Sequence, residues 1–260
     1  MRLFLRVALA GLWLVVSVMG VAAQEPFYKG KRLTLLINFA AGGPTDIVKA
    51  EGLVSGGLGA DNSKDLLIRL SLDMLGVPFR HVTGYRSNNT ARMALQQNEV
   101  NFFAESPPGY RSVVEPNLVR NGQAIPTYYD PGWNGESLSV PRQVEGLAIL
   151  PFHELYQKVK GVKPSGPLWE AYLASLTINA AMQRLLALPP NTPPAALQAV
   201  RAAVLRLNND KAFAEDALKT IGFVPEYSAG PETNRQVRQA VVLPPQIRSF
   251  VAGYVKGANR

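Results

Sequence analysis

Cysteine is absent from this chain of 260 residues, and histidine occurs only twice, at His81 and His153. The first absence excludes disulfides, thiolate catalysis and Cys-ligated metals together. The second leaves two imidazoles far apart in sequence, which read as strand or surface residues and not as metal ligands. No metal and no cofactor is therefore expected. Runs of five or six like charges are missing too, as is any ladder of interleaved basic and aromatic residues, so the net charge of +8 does not describe a nucleic-acid surface. A mildly basic field of this kind helps to collect anionic solutes, and it also serves as an ordinary soluble surface. The G-x-S-x-G, G-K-[ST] and S-x-x-K with K-T-G patterns do not occur, and no catalytic residue is nominated.

What is present begins with an export signal. Arg2 and Arg6 form a charged start, Val7–Val21 an apolar middle, and Val21-Ala22-Ala23 a small-residue cleavage site. The apolar run is shorter than the roughly 20 residues of a spanning helix. No cysteine follows it for lipid attachment, and nothing later is apolar enough to cross a bilayer. The expectation is a periplasmic protein cleaved after Ala23, whose charge drops to +6 with the loss of Arg2 and Arg6. Without disulfides in an oxidising compartment, such a chain holds together by its core.

The stretch Arg32–Asp46, RLTLLINFAAGGPTD, carries the most information. A strand (Leu33, Leu35, Leu36, Ile37) runs into the small-residue loop Ala40-Ala41-Gly42-Gly43. Pro44 then starts a helix with Thr45 and Asp46 in its first turn. Such a junction presents main-chain N–H groups and the positive end of a helix dipole, which is an anion site made without cations.

Strand and helix patterns then alternate, which argues an α/β fold. Gly52–Ser55 reads as a strand entering Gly56-Gly57-Leu58-Gly59-Ala60-Asp61. Asn62 or Ser63 caps a helix with Leu66, Leu67, Leu70 and Met74 on its apolar face and Gly76 at its end. Pro78–Thr83 is a second strand, stopping at Gly84-Tyr85-Arg86, and Asn89 caps the next helix. Val100–Ala104 is a third strand before Glu105-Ser106-Pro107-Pro108, and Gln123–Tyr129 reads as a fourth. In open parallel sheets ligands bind outside the carboxyl ends of the strands, so the loops at 56–63, 83–90 and 105–110 are expected along one edge.

Beyond Tyr129 comes a turn-rich loop, then a helix over Phe152–Lys160 and a connecting stretch over Thr177–Leu188. Thr192 caps a helix that has Pro193 at its start and Leu197, Val200, Val204 and Leu207 on one face. A helix at Lys211–Thr220, a short strand at Phe223–Tyr227 and helices near Glu232–Val241 and Gln246–Lys256 close the chain.

With its signal, INFAAGGPTDI, SGGLGADNSKDL, HVTGYRSNNTARMALQQNEVNFFAESPP and LALPPNTPPAALQAVRAAVLRLNND, the chain resembles the extracytoplasmic solute-binding receptors of tripartite tricarboxylate transporters, the Bug-type receptors. The resemblance runs over nearly all of residues 26–260. It implies a type II periplasmic-binding fold of two α/β lobes, a carboxylate-bearing small molecule as ligand, the membrane components of such a transporter as partners, and a monomer that takes no nucleic acid. Carried onto this sequence, it nominates Phe39, Ala41, Gly42, Thr45 and Asp46 on one side. On the other it nominates Gly59, Ala60, Asp61, Ser63, Gly84, Tyr85, Arg86, Glu105 and Ser106, with Arg86 able to form a bidentate pair with a carboxylate.

One departure is visible in the spacing. The first strand ends near Asn38 and the next begins near Gly52, too close for a parallel crossover of at least about 10–12 residues once the loop has taken its share. The chain reads as a receptor with its first lobe truncated: residues 24–50 and 180–260 a remnant of lobe one, residues 51–179 lobe two. Its C-terminal helices would then lack the sheet that buries Leu197, Val200, Val204 and Leu207, which forfeits roughly 1.5–3 kcal/mol for each. The rival expectations are an interaction or sensory binding protein and, from another class, a periplasmic hydrolase using Asp61 and Glu105 as acid and base.

Overall fold

A computed structural model describes residues 52–182 and 185–257. The signal, the strand at Leu33–Ile37 and the nominated Phe39, Ala41, Gly42, Thr45 and Asp46 lie outside the described residues.

The centre of the fold is a parallel sheet of three short strands in the order β2-β1-β3: β1 Leu53–Gly56, β2 Phe79–Val82 and β3 Phe102–Phe103. Ser55 is in register with His81 on one side and with Phe102 on the other. The two-residue period of a strand decides which core each side chain joins. Leu53 and Phe102 turn to a core shared with helix α1 (Ser63–Leu75), while Val54, Val82 and Phe103 turn to a second core shared with α2 (Asn88–Gln96). The α/β class is therefore as expected.

The placement of α1 and α2 on opposite faces has a topological consequence. The chain steps from β1 to β2 over one face and returns from β2 to β3 over the other. The order reverses at β1, so a switch point opens between the carboxyl ends of β1 and β3.

Local chemistry sets the helix ends. Asn62 caps α1 by accepting from the Lys64 N–H, and Gly76 closes it at φ 69°, where a side chain would be strained. Ile68, Leu70, Leu72 and Leu75 are as buried as Leu66 and Leu67, because α1 is enclosed between the sheet and α5 (Pro167–Met182). Ser87, and not Asn89, caps α2. Its hydroxyl accepts from the Thr90 N–H while Thr90 Oγ1 accepts from the Ser87 N–H, a reciprocal capping box.

Several expectations are corrected. Pro107 does not continue a loop: a turn at Pro107–Gly109 runs into a π-helix, Tyr110–Val119, together α3. The wide helix accommodates Pro116, and Tyr110, Val114 and Leu118 bury one face of it. Among the described residues Gln123–Tyr129 forms no ladder strand: Ile125 and Tyr129 sit in isolated bridges, Tyr129 with Pro151 at the start of α4 (Phe152–Lys160). The turn-rich loop holds a small hairpin, β4 (Gly132–Trp133) against β5 (Leu138–Ser139). Thr177 lies in α5, which runs to Met182, so the first part of the expected connecting stretch is helical. The expected boundary at residue 180 falls within this helix.

Four helices follow: α6 (Pro194–Arg206), α7 (Lys211–Ile221), α8 (Pro231–Ala240) and α9 (Pro245–Gly257). Phe223–Tyr227 is not a strand. The side chain of Asn208 takes the place of a neighbouring strand, donating to the Tyr227 carbonyl and accepting from the Tyr227 N–H, both at 2.8 Å. α8 and α9 pack on α5. α6 buries no residue: Leu197, Val200, Val204 and Leu207 are only half-buried. No helix of the described residues is long and apolar enough to cross a membrane.

Candidate functional site

The loops that leave the carboxyl ends of β1, β2 and β3 lie along one edge and are laced together. Gly57 N–H donates to the Val82 carbonyl at 2.8 Å; Gly84 N–H reaches Leu58 O, and Tyr85 N–H reaches Gly57 O, each at 3.3 Å. These bonds gather the nominated Gly59, Ala60, Asp61, Ser63, Gly84 and Tyr85. Arg86 follows directly, and Glu105 and Ser106 enter from β3 at the same edge. Asp61, Gly84 and Arg86 are exposed; Gly59, Ala60, Ser63, Tyr85 and Ser106 are half-buried; Glu105 is fully buried. Tyr85 hydroxyl donates to Glu99 Oε2 at 3.4 Å, and burial together with Glu99 raises its pKa. Ser63 hydroxyl donates to Asn179 Oδ1 on α5 at 3.3 Å.

Beneath these loops lies a buried set of ionised groups that sequence reading passes over, apart from Glu105. Lys64, on the first turn of α1, is 9% exposed and spans the switch point. Its ammonium donates to Asn88 Oδ1 on α2 and to the Ala104 carbonyl at 3.2 Å, and it lies 5.1 Å from the centroid of the Phe103 ring. Burial pulls its pKa below the ordinary lysine value, against the opposing pull of Glu105 and Asp65.

Glu105 faces Lys64 from β3 and is itself enclosed. Oε1 accepts from Asn88 Nδ2 at 3.0 Å and from the Ser106 N–H at 2.8 Å, and Oε2 pairs with the Arg92 guanidinium, whose Nε donates at 3.0 Å. This is a buried pair with its remaining lone pairs satisfied, the geometry in which such a pair is tolerated. As an acid or base Glu105 is held away from solvent, whereas Asp61 is exposed.

Asp65, 1% exposed, organises the other loop. Its Oδ2 accepts from the Gly59 N–H at 2.8 Å and from His81 Nε2 at 3.3 Å, while Oδ1 has no hydrogen-bond partner among the described residues. His81 Nδ1 lies 2.7 Å from the Ser55 hydroxyl. Ser55, His81 and Asp65 thus form a chain of the groups used in hydrolytic triads. Here, however, the imidazole meets the serine through Nδ1, and the hydroxyl is fully buried in the central strand. A nucleophile must reach its substrate, so this chain serves to hold the edge.

The carboxyl edge thus holds main-chain N–H groups engaged by neighbouring carbonyls and by Asp65, and one buried lysine, over two buried carboxyl groups. Among the described residues no cluster of three or more His, Asp or Glu is placed to hold a metal ion. No protein-family model matches this chain, and no curated protein or solved structure matches it either.

Proposed function

We propose that the chain is an extracytoplasmic receptor for a carboxylate-bearing small molecule, feeding a transporter of the tripartite tricarboxylate type. The observation that carries this reading is Lys64: an ammonium, nine-tenths buried, at the topological switch point where open α/β sheets take their ligands. The first turn of α1 beside it adds the positive end of a helix dipole. The ligand is a small anion, held by this turn and by the loops at Gly59–Asp61 and Gly84–Arg86.

The finer architecture in this reading is a type II periplasmic-binding fold with a reduced first lobe, acting as a monomer in the periplasm. The half-exposed stripe of Leu197, Val200 and Val204 on α6, continued by Leu207 at its end, supports a missing sheet on that side. Export rests on the Arg2–Ala23 pattern.

A thermal-shift panel tests the reading, because a ligand stabilises only the state that binds it. Citrate, tartrate, benzoate and glutamate are each compared with the corresponding amide. At a hundredfold excess over Kd the expected stabilisation is about 2.7 kcal/mol, present for a carboxylate, absent for its amide and lost in Lys64→Met. No response to any carboxylate overturns the reading. A second reading, a sensory or interaction lobe that docks a protein partner without solute, draws on Val241 and Val242, exposed by 53% and 68% just beyond α8.

A further inference from the structure

Asp65 lies on the wrong side of the electrostatics for an anion receptor. Its carboxylate is buried directly beneath the Gly57–Asn62 loop and accepts from the Gly59 N–H, a donor that a solute carboxylate would otherwise seek. A second negative charge brought to that loop is repelled by the first, and in a buried setting the repulsion is weakly screened.

The buried basic groups near the edge are Lys64, Arg69, whose Nη1 donates to the Ala60 carbonyl, and Arg92, set against the carboxyl groups of Asp65 and Glu105. Beside them stands His81, whose side chain is 7% exposed and whose Nε2 bonds the same Asp65 oxygen that holds Gly59. The groups facing His81 are Ser55 of β1 and Asp65 of α1. Lys64, next on α1, turns away to Asn88 and Ala104, and Arg80, the neighbour on β2, is exposed and acts on Tyr85.

The chain is wired to accept either state of the ring. With a neutral ring, Ser55 hydroxyl donates to Nδ1 and Nε2–H donates to Asp65. With a protonated ring, Nδ1–H donates to Ser55 Oγ, and the hydroxyl turns to the Arg80 carbonyl, 3.5 Å away. One rotating hydroxyl absorbs the proton without moving a heavy atom, and the edge gains one positive charge beside Asp65.

We infer that anion binding at this edge takes up a proton on His81, so the receptor holds its solute more tightly in mildly acidic than in neutral medium. This rests on the carboxylate-receptor reading. Histidine is the side chain whose charge changes between about pH 5 and 8, and the coupling is reciprocal: a bound anion raises the proton affinity of the ring by the factor by which the proton raises anion affinity.

The experiment measures tartrate binding by calorimetry at several values between about pH 6 and 8, where the solute itself stays ionised and histidine changes charge. Two buffers of different ionisation heat are used, on wild type and on His81→Gln, whose amide still reaches Asp65. The expected result is several-fold tighter binding at the acidic end, never steeper than tenfold per pH unit for one proton, with fractional proton uptake. His81→Gln should show neither. Binding with no pH slope and no uptake in wild type overturns the inference while leaving the receptor reading intact. Absence of binding by tartrate, citrate, benzoate and glutamate at every pH overturns both. Should His81→Gln fail to fold, the wild-type uptake decides alone.

Discussion

Arg69 of α1 clasps Tyr254 of α9: its guanidinium carbon lies 4.7 Å from the centre of the ring, and Nη2 donates to the Tyr254 carbonyl at 3.1 Å. That carbonyl is in the last turn of α9, where main-chain acceptors lack helical partners, so the cation both caps the helix and opposes its dipole. Nη1 donates to the Ala60 carbonyl at 3.1 Å. One buried side chain therefore joins the edge loop to the C-terminal helix. Arg69→Met should cost about 2–3 kcal/mol in urea unfolding, as expected for lost hydrogen bonds to a charged group. Hydrogen exchange should quicken in α9 and at the Ala60–Asn62 turn together. Faster exchange at only one of the two would break the link.

Gly57 and Asp65 are equally interdependent. A Cβ built on Gly57 would sit 2.0 Å from Asp65 Oδ2, so Gly57→Ala must displace the carboxylate and with it the Gly59 bond. The expected loss is about 1–3 kcal/mol, the usual range for overpacking. The double variant with Asp65→Ala should be less destabilised than the sum of the single ones, since the clash has then gone. Additive losses in chemical denaturation would refute the contact.

How much of this was legible in the sequence varies with the kind of signal. Asn62, the leucines after it and Gly76 are local signals, and α1 follows them closely. Phe152–Lys160 agrees residue for residue with α4, bounded by Pro151 and a left-handed Gly161. The π-helix was hidden because Ser-Pro-Pro-Gly reads as a turn and Pro116 as a breaker, although Tyr110, Val114 and Leu118 recur at a helical spacing of four. Gln123–Tyr129 looks like a strand, but among the described residues it pairs only through isolated bridges, Tyr129 with Pro151 among them; pairing is non-local, and no pattern along the segment reports it. At the site, the glycine-rich loops and Glu105 were visible, and the other charged groups beneath them were not. Lys64 and Asp65 read as the polar first turn of a capped helix, and only the approach of Ala104, Asn88 and His81 shows that the turn is buried.

Glu105→Gln tests the buried pair. The amide keeps a contact to Ser106 or Asn88 but leaves the Arg92 guanidinium, 12% exposed, without its counter-ion. Breaking one side of such a pair costs about 3–5 kcal/mol. Arg92→Met added to Glu105→Gln should recover much of the loss, because the stranded cation is then removed. A double variant no more stable than Glu105→Gln alone would place the cost elsewhere.

Alkaline pH should unfold the protein through its tyrosines. Burial, aided by Asp130, holds the Tyr128 and Tyr172 hydroxyls well above the ordinary value, and burial with Glu115 pushes Tyr110 up to about 12. Burial and the bond to Asp73 raise Tyr254 as well. Each folded value exceeds the unfolded one, so the folded state keeps protons that the unfolded chain releases. The stability from these groups is complete below about pH 10 and falls as the pH rises through the folded values, by up to about 1.4 kcal/mol per unit for each tyrosine. Lys64 works in the opposite sense. Its value is lowered by burial, so its contribution improves as the pH climbs toward 10.5 and ends there. Above that point the tyrosines act unopposed, and urea midpoints should drop steeply, in step with the ultraviolet absorbance of tyrosinate. Tyr128→Phe removes one proton from the difference and should flatten the slope by up to about 1.4 kcal/mol per pH unit. An unchanged slope in that variant would show that the Tyr128 hydroxyl ionises freely in the folded protein.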